Sequence, residues 1–307
     1  MKDQNKIKYS IIIPHKNIPE LLRRCLRSIP IRDDVQIIVV DDNSDPDKID
    51  FSNLPELNRP NTEVYMTKGG QGAGYARNIG LIKAKGKWLV FADADDFFND
   101  CLGDMFEKYK ETTADLIFFQ TNSVDSETLK PIKSRGEKYN TWIRESDKSG
   151  IILEDIKYRL YSPWGKFFSH ELIKAHNIKF DVVFSSNDVM FSTLSGHTAN
   201  RILIDMNYLY CSTIRKGSLE NSSTIEHIQP RFYVALRQYN FLLSVHKAKY
   251  RMNIWYFILQ LRKLDKKWIS NYLLYCTKEM KFTHLTQDFL KHLINYLKTK
   301  LTSKNII

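Results

Sequence analysis

The chain is poor in several features that commonly declare a protein's class. Only four of its 307 residues are cysteines, Cys25, Cys101, Cys211 and Cys276, with no Cys-x-x-Cys spacing. That argues against a zinc site or disulfide framework and predicts a reducing compartment. No two of the eight histidines stand at metal-ligand spacing. No stretch approaches the roughly 20 apolar residues of a membrane span; the longest candidate, Met252 to Leu261, is broken by Asn253 and Gln260. Met1 to Lys6 leads into an apolar strand without a signal segment, so a cytosolic location is expected. Acidic residues are scarce at one end: residues 228–307 hold 15 Lys+Arg and 3 Asp+Glu, so this tail carries +12 and the remainder −1.

What is present is ordinary globular composition, 43% hydrophobic and 26% charged, enough for one large domain with an appendage. Two carboxylate clusters stand out, each where an apolar strand ends: Asp41-Asp42 after Gln36–Val40, and Asp93-Ala94-Asp95-Asp96 after Lys87–Ala92. Neighbouring carboxylates repel unless a cation, a donor or a ligand offsets them. Their place at strand exits predicts one rim of one sheet, where open α/β sheets bind ligands. An Asp-x-Asp offers hard oxygens to a divalent cation that takes its other ligands from water and phosphates. These residues therefore point to a nucleoside diphosphate site.

Strand and helix signals alternate through residue 120. Strands are expected at Ser10–Ile13, Gln36–Val40, Glu63–Met66, Lys87–Ala92 and Leu116–Phe119, and helices at Glu20–Ile29, Tyr75–Ala84 and Leu102–Thr112. This is an α/β, doubly wound, mostly parallel sheet. The polar stretch Asn122–Gly150 reads as loop. Helices follow near Ile151–Leu160, after a Ser169 cap, and over Asp188–Leu194 capped by Asn187. Two further strands are expected at Ile202–Asp205 and Tyr208–Ser212. Helical periodicity from Gln229 onward places a boundary near residue 228.

Ser10–Pro14, Ile38–Ser44 with its Asp-Asp-Asn-Ser, Ala76–Gly80 with Arg77, Phe91–Asp96 and Asn187-Asp188 stand in an order that resembles family 2 glycosyltransferases of the GT-A fold. The resemblance covers roughly residues 9 to 220. It implies a catalytic domain over residues 1–228, with a nucleotide-sugar half to about residue 120, an acceptor half over about 121–228, and a helical extension at 229–307. It also implies inverting transfer of a sugar from a nucleotide diphosphate, usually UDP, to an acceptor hydroxyl. By the same resemblance Asp41 accepts a hydrogen bond from the uracil imino group, with Pro14 and Lys16 walling the pocket. Asp93 contacts ribose and metal, Asp95 coordinates Mn2+ or Mg2+, and Asp188 is the general base. Arg215, Lys216 and Ser218 fall in a segment that closes over the diphosphate, and Trp164-Gly165-Lys166 resembles a Trp-x-Lys segment of capsule and surface-polysaccharide members.

The residues themselves leave alternatives open. Asp41 and Asp42 are also suited to capping the following turn. Arg77 follows Gly69–Gly74, where backbone donors and a guanidinium approach a base or phosphate, or it is a solvated helix residue. Asp96 joins the metal or caps the turn. Trp164 stacks on an acceptor sugar or packs in the core. Asp188 is a base or a first-turn residue favoured by the helix dipole. Asn187 stands where the family has Glu, which leaves acceptor chemistry least determined. The glycine run is no dinucleotide fingerprint, since Gly70, Gly72 and Tyr75 break Gly-x-Gly-x-x-Gly.

In the tail, Arg262–Lys267 lies beside Trp255–Leu259 and Trp268. Cations with interfacial aromatics suit an anionic membrane surface, which predicts a peripheral enzyme at the inner face of the cytoplasmic membrane. It would extend a lipid-linked glycan in capsule or lipopolysaccharide synthesis. A helical hairpin packed on the domain, or a homodimer contact, is the plainer account of the same residues. Two further classes compete: a degenerate partner subunit of the same fold, and a nucleic-acid-binding protein, for which the pI of about 9.3 speaks. The basic excess is confined to the tail, so no nucleic acid is expected as a partner.

Overall fold

The structure is a computed structural model; it describes residues 7–133, 136–215, 224–264, 269–279, 286–290 and 293. Five strands build the N-terminal half: β1 (Tyr9–His15), β2 (Val35–Asp41), β3 (Thr62–Met66), β4 (Trp88–Phe91) and the two-residue β5 (Phe97–Phe98). Helices α1 (Pro19–Arg27), α2 (Ala73–Lys83) and α3 (Leu102–Tyr109) connect them. The second half holds β6 (Leu116–Asp125), α4 (Glu137–Ser149), α5 (Glu154–Arg159), β7 (Lys166–Ser169), α6 (His170–Ala175), α7 (Val189–Thr198) and β8 (Ile202–Ile214). All eight strands form one sheet in the order β3-β2-β1-β4-β7-β6-β8-β5.

Pairs β2–β3, β1–β2, β1–β4 and β6–β8 are parallel, while β7 runs against both β4 and β6, and β5 against β8. The period of two decides which side chains go where. Ile11, Ile13, Ile37 and Val39 face one layer with Leu22, Leu26 and Phe106; Ile12, Ile38 and Val40 face the other with Ala76, Leu172 and Phe191. Burial on both faces explains why β1 and β2 read as continuous apolar runs. Each such Ile or Phe contributes about 1.5–3 kcal/mol by leaving water.

Three expectations change. The stretch expected as loop holds the end of β6, whose Asn122–Asp125 pair with Cys211–Ile214, and the whole of α4. Its strand is polar because hydroxyls satisfy one another there, Ser123 Oγ lying 2.7 Å from Ser212 Oγ. Helix α4 shows the sequence little beyond Tyr139, Trp142 and Ile143, and stops at Gly150, φ 68°. The two late strands are one, β8, with a register irregularity opposite Phe119–Thr121. Helix α7 starts at Val189 with Asp188, not Asn187, as N-cap and runs on to Thr198.

Helix α8 (Ile225–Ser244) joins this sheet to α9 (Ile254–Leu264) and α10 (Ile269–Glu279). One face, Phe232, Leu236 and Tyr239, packs on Phe257, Ile258, Leu261, Tyr272 and Cys276. Another sets Val234 against Val189 and Met190 of α7. No helix of the described residues is long and apolar enough to cross a membrane.

Candidate active site

Strands β1, β2 and β4 are mutually parallel, so their carboxyl ends share one rim. Pro14 and His15 close β1 beside Val40 and Asp41. The Asp41 side chain has no exposed surface. One oxygen lies 2.8 Å from His15 Nδ1 and accepts from Ser44 Oγ at 2.5 Å, and the other accepts from Ser44 N–H at 2.8 Å. The Ile18 amide donates to His15 Nε2, which leaves Nδ1 to donate to Asp41. Burial opposes ionisation of Asp41, but these hydrogen bonds outweigh it and hold the carboxyl below its ordinary range. Asp41 thus ties β1, β2 and the following turn together, and a direct contact with a nucleotide base is not available to it in this arrangement.

Asp42 accepts from the backbone N–H groups of Gln71 and Gly72, both at 2.9 Å, with Lys16 Nζ 3.7 Å away. The glycine loop is therefore pinned to the end of β2. Gly72 holds φ 89°, a conformation that suits glycine. Lys16 keeps 49% of its side chain exposed.

At the end of β4 the Asp-x-Asp turn is held from below. Asp93 N–H donates to Tyr210 Oη at 2.9 Å, and Tyr210 Oη donates to Asp96 at 2.9 Å. Thr213 N–H donates to the other Asp96 oxygen at 2.6 Å, and Thr213 Oγ1 to the Asp95 carbonyl at 2.7 Å. Arg24 Nη2 donates to that same carbonyl at 2.6 Å. Asp96 is buried, and burial, with the charges of Asp95 and Asp93, pushes its carboxyl well up. It is a buttress of the turn. Asp93 and Asp95 instead keep 32% and 27% of their side chains exposed. Arg215, beyond β8, brings Nε to 3.5 Å from Asp95. Lys216 and Ser218 lie outside the described residues.

Arg77 is not a solvated helix residue. Only 5% exposed, it donates from Nη1 to Asn187 Oδ1 at 2.7 Å and from Nη2 to Asp93 Oδ1 at 2.5 Å, over the Phe180 ring. It joins the aspartate turn to the segment leading into α7. Gly74 permits this approach, since a Cβ there would collide with the Asp181 carbonyl. Asp188 follows Asn187 and makes no capping hydrogen bond, so its carboxylate is not consumed by the helix. Half-buried by area but ringed by protein, it is pushed up by that burial; Arg77 and Lys166 pull it down, and Asp93 adds to the rise.

Two of the acceptor-side residues are engaged within the protein. Lys166 lies in β7, 1% exposed, with Nζ donating to the Leu160 carbonyl at 2.6 Å and standing over the Phe118 ring. Burial lowers its pKa to about 7, against the pull of Asp188. Its part is beneath the site, and contact with acceptor or diphosphate is closed to it. Trp164 stacks face to face on Tyr210, centroids 5.2 Å apart at 8°, and packs against the core. His15, Ser44, Arg24, Tyr210 and Thr213 escaped sequence reasoning. Only Ser44 carried a local signal, three residues after Asp41.

Among the described residues no three His, Cys, Asp or Glu side chains converge on a metal-sized site. Asp93 and Asp95 fit a divalent ion as a pair of hard, part-exposed ligands completed by phosphate and water. Such an ion would add to the positive charge that Arg77 and Arg215 already set beside these carboxylates.

Residues 10–176 match the family model for glycosyl transferase family 2. The poly(ribitol-phosphate) beta-glucosyltransferase of Bacillus spizizenii is 26% identical over 250 residues, 79% of this chain and 37% of that protein. The poly(ribitol-phosphate) beta-N-acetylglucosaminyltransferase TarS of Staphylococcus aureus is 26% identical over 242 residues, 75% of this chain and 39% of its own length. The chain therefore spans well under half the length of these two relatives. A crystal structure of S. aureus TarS 1–349 in complex with UDP-GlcNAc superimposes with a TM-score of 0.61 at 22% identity, over 84% of this chain and 71% of that one, which shows a shared GT-A-type fold. The family match takes in more than half the chain, with Asp41, Asp42, Arg77 and the Asp93–Asp96 turn inside it: the chain belongs to glycosyl transferase family 2.

Proposed function

We propose that the chain transfers a sugar from a nucleoside diphosphate sugar, UDP favoured, to a hydroxyl of a surface-polymer glycan, with inversion at the anomeric carbon. The observation that carries this reading is the hydrogen-bonded frame Asp93–Arg77–Asn187, which sets the Asp-x-Asp turn beside Asp188. Asp188 takes the proton of the acceptor hydroxyl as its oxygen bonds to the anomeric carbon, and the bond to the diphosphate oxygen breaks. A carboxyl raised by burial is a stronger base than one in water. Asp93 and Asp95 would hold Mn2+ or Mg2+, which when bound would supply positive charge against the diphosphate. Lys16, half exposed near the glycine loop, and Arg215 face the phosphates. Asp41 and Asp42 act through the strand end and loop they fasten, with Pro14 in the wall.

The UDP preference draws support from the fold neighbour, S. aureus TarS 1–349, whose crystal structure holds UDP-GlcNAc. The acceptor class draws on the names of relatives that act on poly(ribitol phosphate). We divide the chain into a catalytic unit over 1–228 and a helical tail over 229–307, with α8 as the joint. The tail's +12 charge and the exposed Tyr256, Leu264, Leu274 and Tyr275 favour contact with an anionic membrane surface carrying a lipid-linked acceptor.

Thermal-shift titration with UDP, GDP, CDP, dTDP and NAD, with and without Mn2+, tests the donor. Metal-dependent stabilisation by UDP alone is expected. No response to any nucleotide would turn the reading to a degenerate subunit.

A further inference from the structure

The five residues before Asn187, Val182-Val183-Phe184-Ser185-Ser186, form a small closed loop. Its neck is sealed by Asp181 N–H donating to the Asn187 carbonyl at 3.0 Å, and Asp181 is ion-paired with Arg237 of α8 at 2.6 Å. Side chains alternate along it. Val183 packs toward Val189, Met190 and Val234, and Ser185 Oγ lies 3.1 Å from His227 Nδ1. Val182 and Phe184 point outward, 52% and 55% exposed. The Phe184 ring is propped edge-on by His227, centroids 4.7 Å apart. On its other flank the Val183 carbonyl sits against Gly72, the residue that Asp42 pins.

A loop fastened at its neck and, through Ser185, to α8 has little freedom to turn these side chains inward. It holds an aromatic ring in water, four residues before Asp188 and so within about 14 Å of it, the reach of four extended residues. The loop contains no ionisable residue, so its chemistry matches the uncharged C–H face of a sugar ring better than a phosphate. Trp164, which the sequence offered for that task, is committed to Tyr210.

The geometry points to Phe184 as the platform on which a saccharide ring of the acceptor stacks while its hydroxyl meets Asp188. This rests on the transferase reading, and the test separates the two. Saturation-transfer NMR on the full chain with UDP and Mn2+ is run against methyl β-glucoside, methyl β-galactoside, methyl N-acetyl-β-glucosaminide and octyl β-glucoside. It compares the wild type with Phe184→Ala, Phe184→Leu and Phe184→Trp, each checked for an unchanged melting curve. Ring-proton signals of at least one methyl glycoside are expected in the wild type. They should fall roughly three- to tenfold in the Ala and Leu variants and persist with Trp, the range an aromatic contact carries. Equal signals in wild type and Phe184→Ala, or none in the wild type, overturn the platform. Loss confined to the octyl-chain protons also overturns it, in favour of a lipid tail. Missing UDP signals in the wild type sink the donor reading alone, because the glycoside comparison stands without them.

Discussion

Arg77 holds Asp93 by a 2.5 Å ion pair from a position almost wholly out of water, and the same guanidinium holds Asn187. The planar fork reaches the two partners from two separate nitrogens in a fixed geometry, which the single nitrogen of a shorter lysine does not reproduce. Arg77→Lys should therefore behave much like Arg77→Ala in transfer assays, with kcat/KM lowered about 100-fold or more in each. Partly hydrated Asp93 limits the stability loss to about 1–2 kcal/mol, below the usual cost of halving a fully buried pair. Urea unfolding and initial rates measure the two effects, and near-full activity in the Lys variant would refute the bracket.

Asp188→Asn should lower the rate about 10²- to 10⁴-fold, the range for removing a general base, while UDP still binds. Asp188 works ionised and its carboxyl is raised, so kcat/KM should fall with decreasing pH at a value above the ordinary carboxylate range. Lys166→Met removes a neighbouring positive charge and should move that acid limb to higher pH. Lys166 titrates near pH 7, so its help fades as the pH rises through that value. Stability carries the opposite sign. A raised carboxyl favours the fold at pH below its unfolded value, and that gain is lost as pH climbs through the folded value. Asp188→Asn should thus melt higher than wild type at pH 7, with the gap closing in acid.

Asp95→Ala should leave the melting curve nearly unchanged, because the side chain is part-exposed and its backbone carbonyl is what Arg24 and Thr213 hold. The extra stabilisation by UDP with Mn2+ over UDP alone should vanish. A retained Mn2+ effect in thermal-shift titration would remove Asp95 from the metal.

Asp96→Ala should do the reverse. It strips acceptors from the Thr213 amide and the Tyr210 hydroxyl inside the protein, at a cost of about 1–3 kcal/mol. Denaturant midpoints at constant slope would show it.

Vesicles of phosphatidylglycerol should pull the full chain down at low salt and release it at high salt, because the tail's attraction is screened. Neutral phosphatidylcholine vesicles should bind it far less. Equal sedimentation with both lipids would rule out an electrostatic tail contact.

The frame of the fold was legible where order is local. Strands β1, β2 and β4 announce themselves because both faces are buried, and the aspartates at the ends of β2 and β4 mark the rim. The place of Asp93 and Asp95 on that rim was legible for the same reason. What was hidden depends on distant partners. Asp96 rests on Tyr210, 114 residues away, and nothing near either announces the pair. Lys166 read as part of a Trp-x-Lys segment on the acceptor side, yet β7 is enclosed between β4 and β6, and the strand's place decides its burial. Helix α4 went unseen because its buried face is narrow and its length is set by packing on β6.

The fastening of Thr213 to the aspartate turn gives the site a built-in spectroscopic handle. Its amide proton points at the buried Asp96 carboxyl while its hydroxyl holds the Asp95 carbonyl. Any ligand that draws the Asp-x-Asp turn toward itself alters both bonds. A single 15N-labelled threonine amide, two residues from Arg215, should therefore shift on donor binding and follow occupancy of the cleft without a label in it.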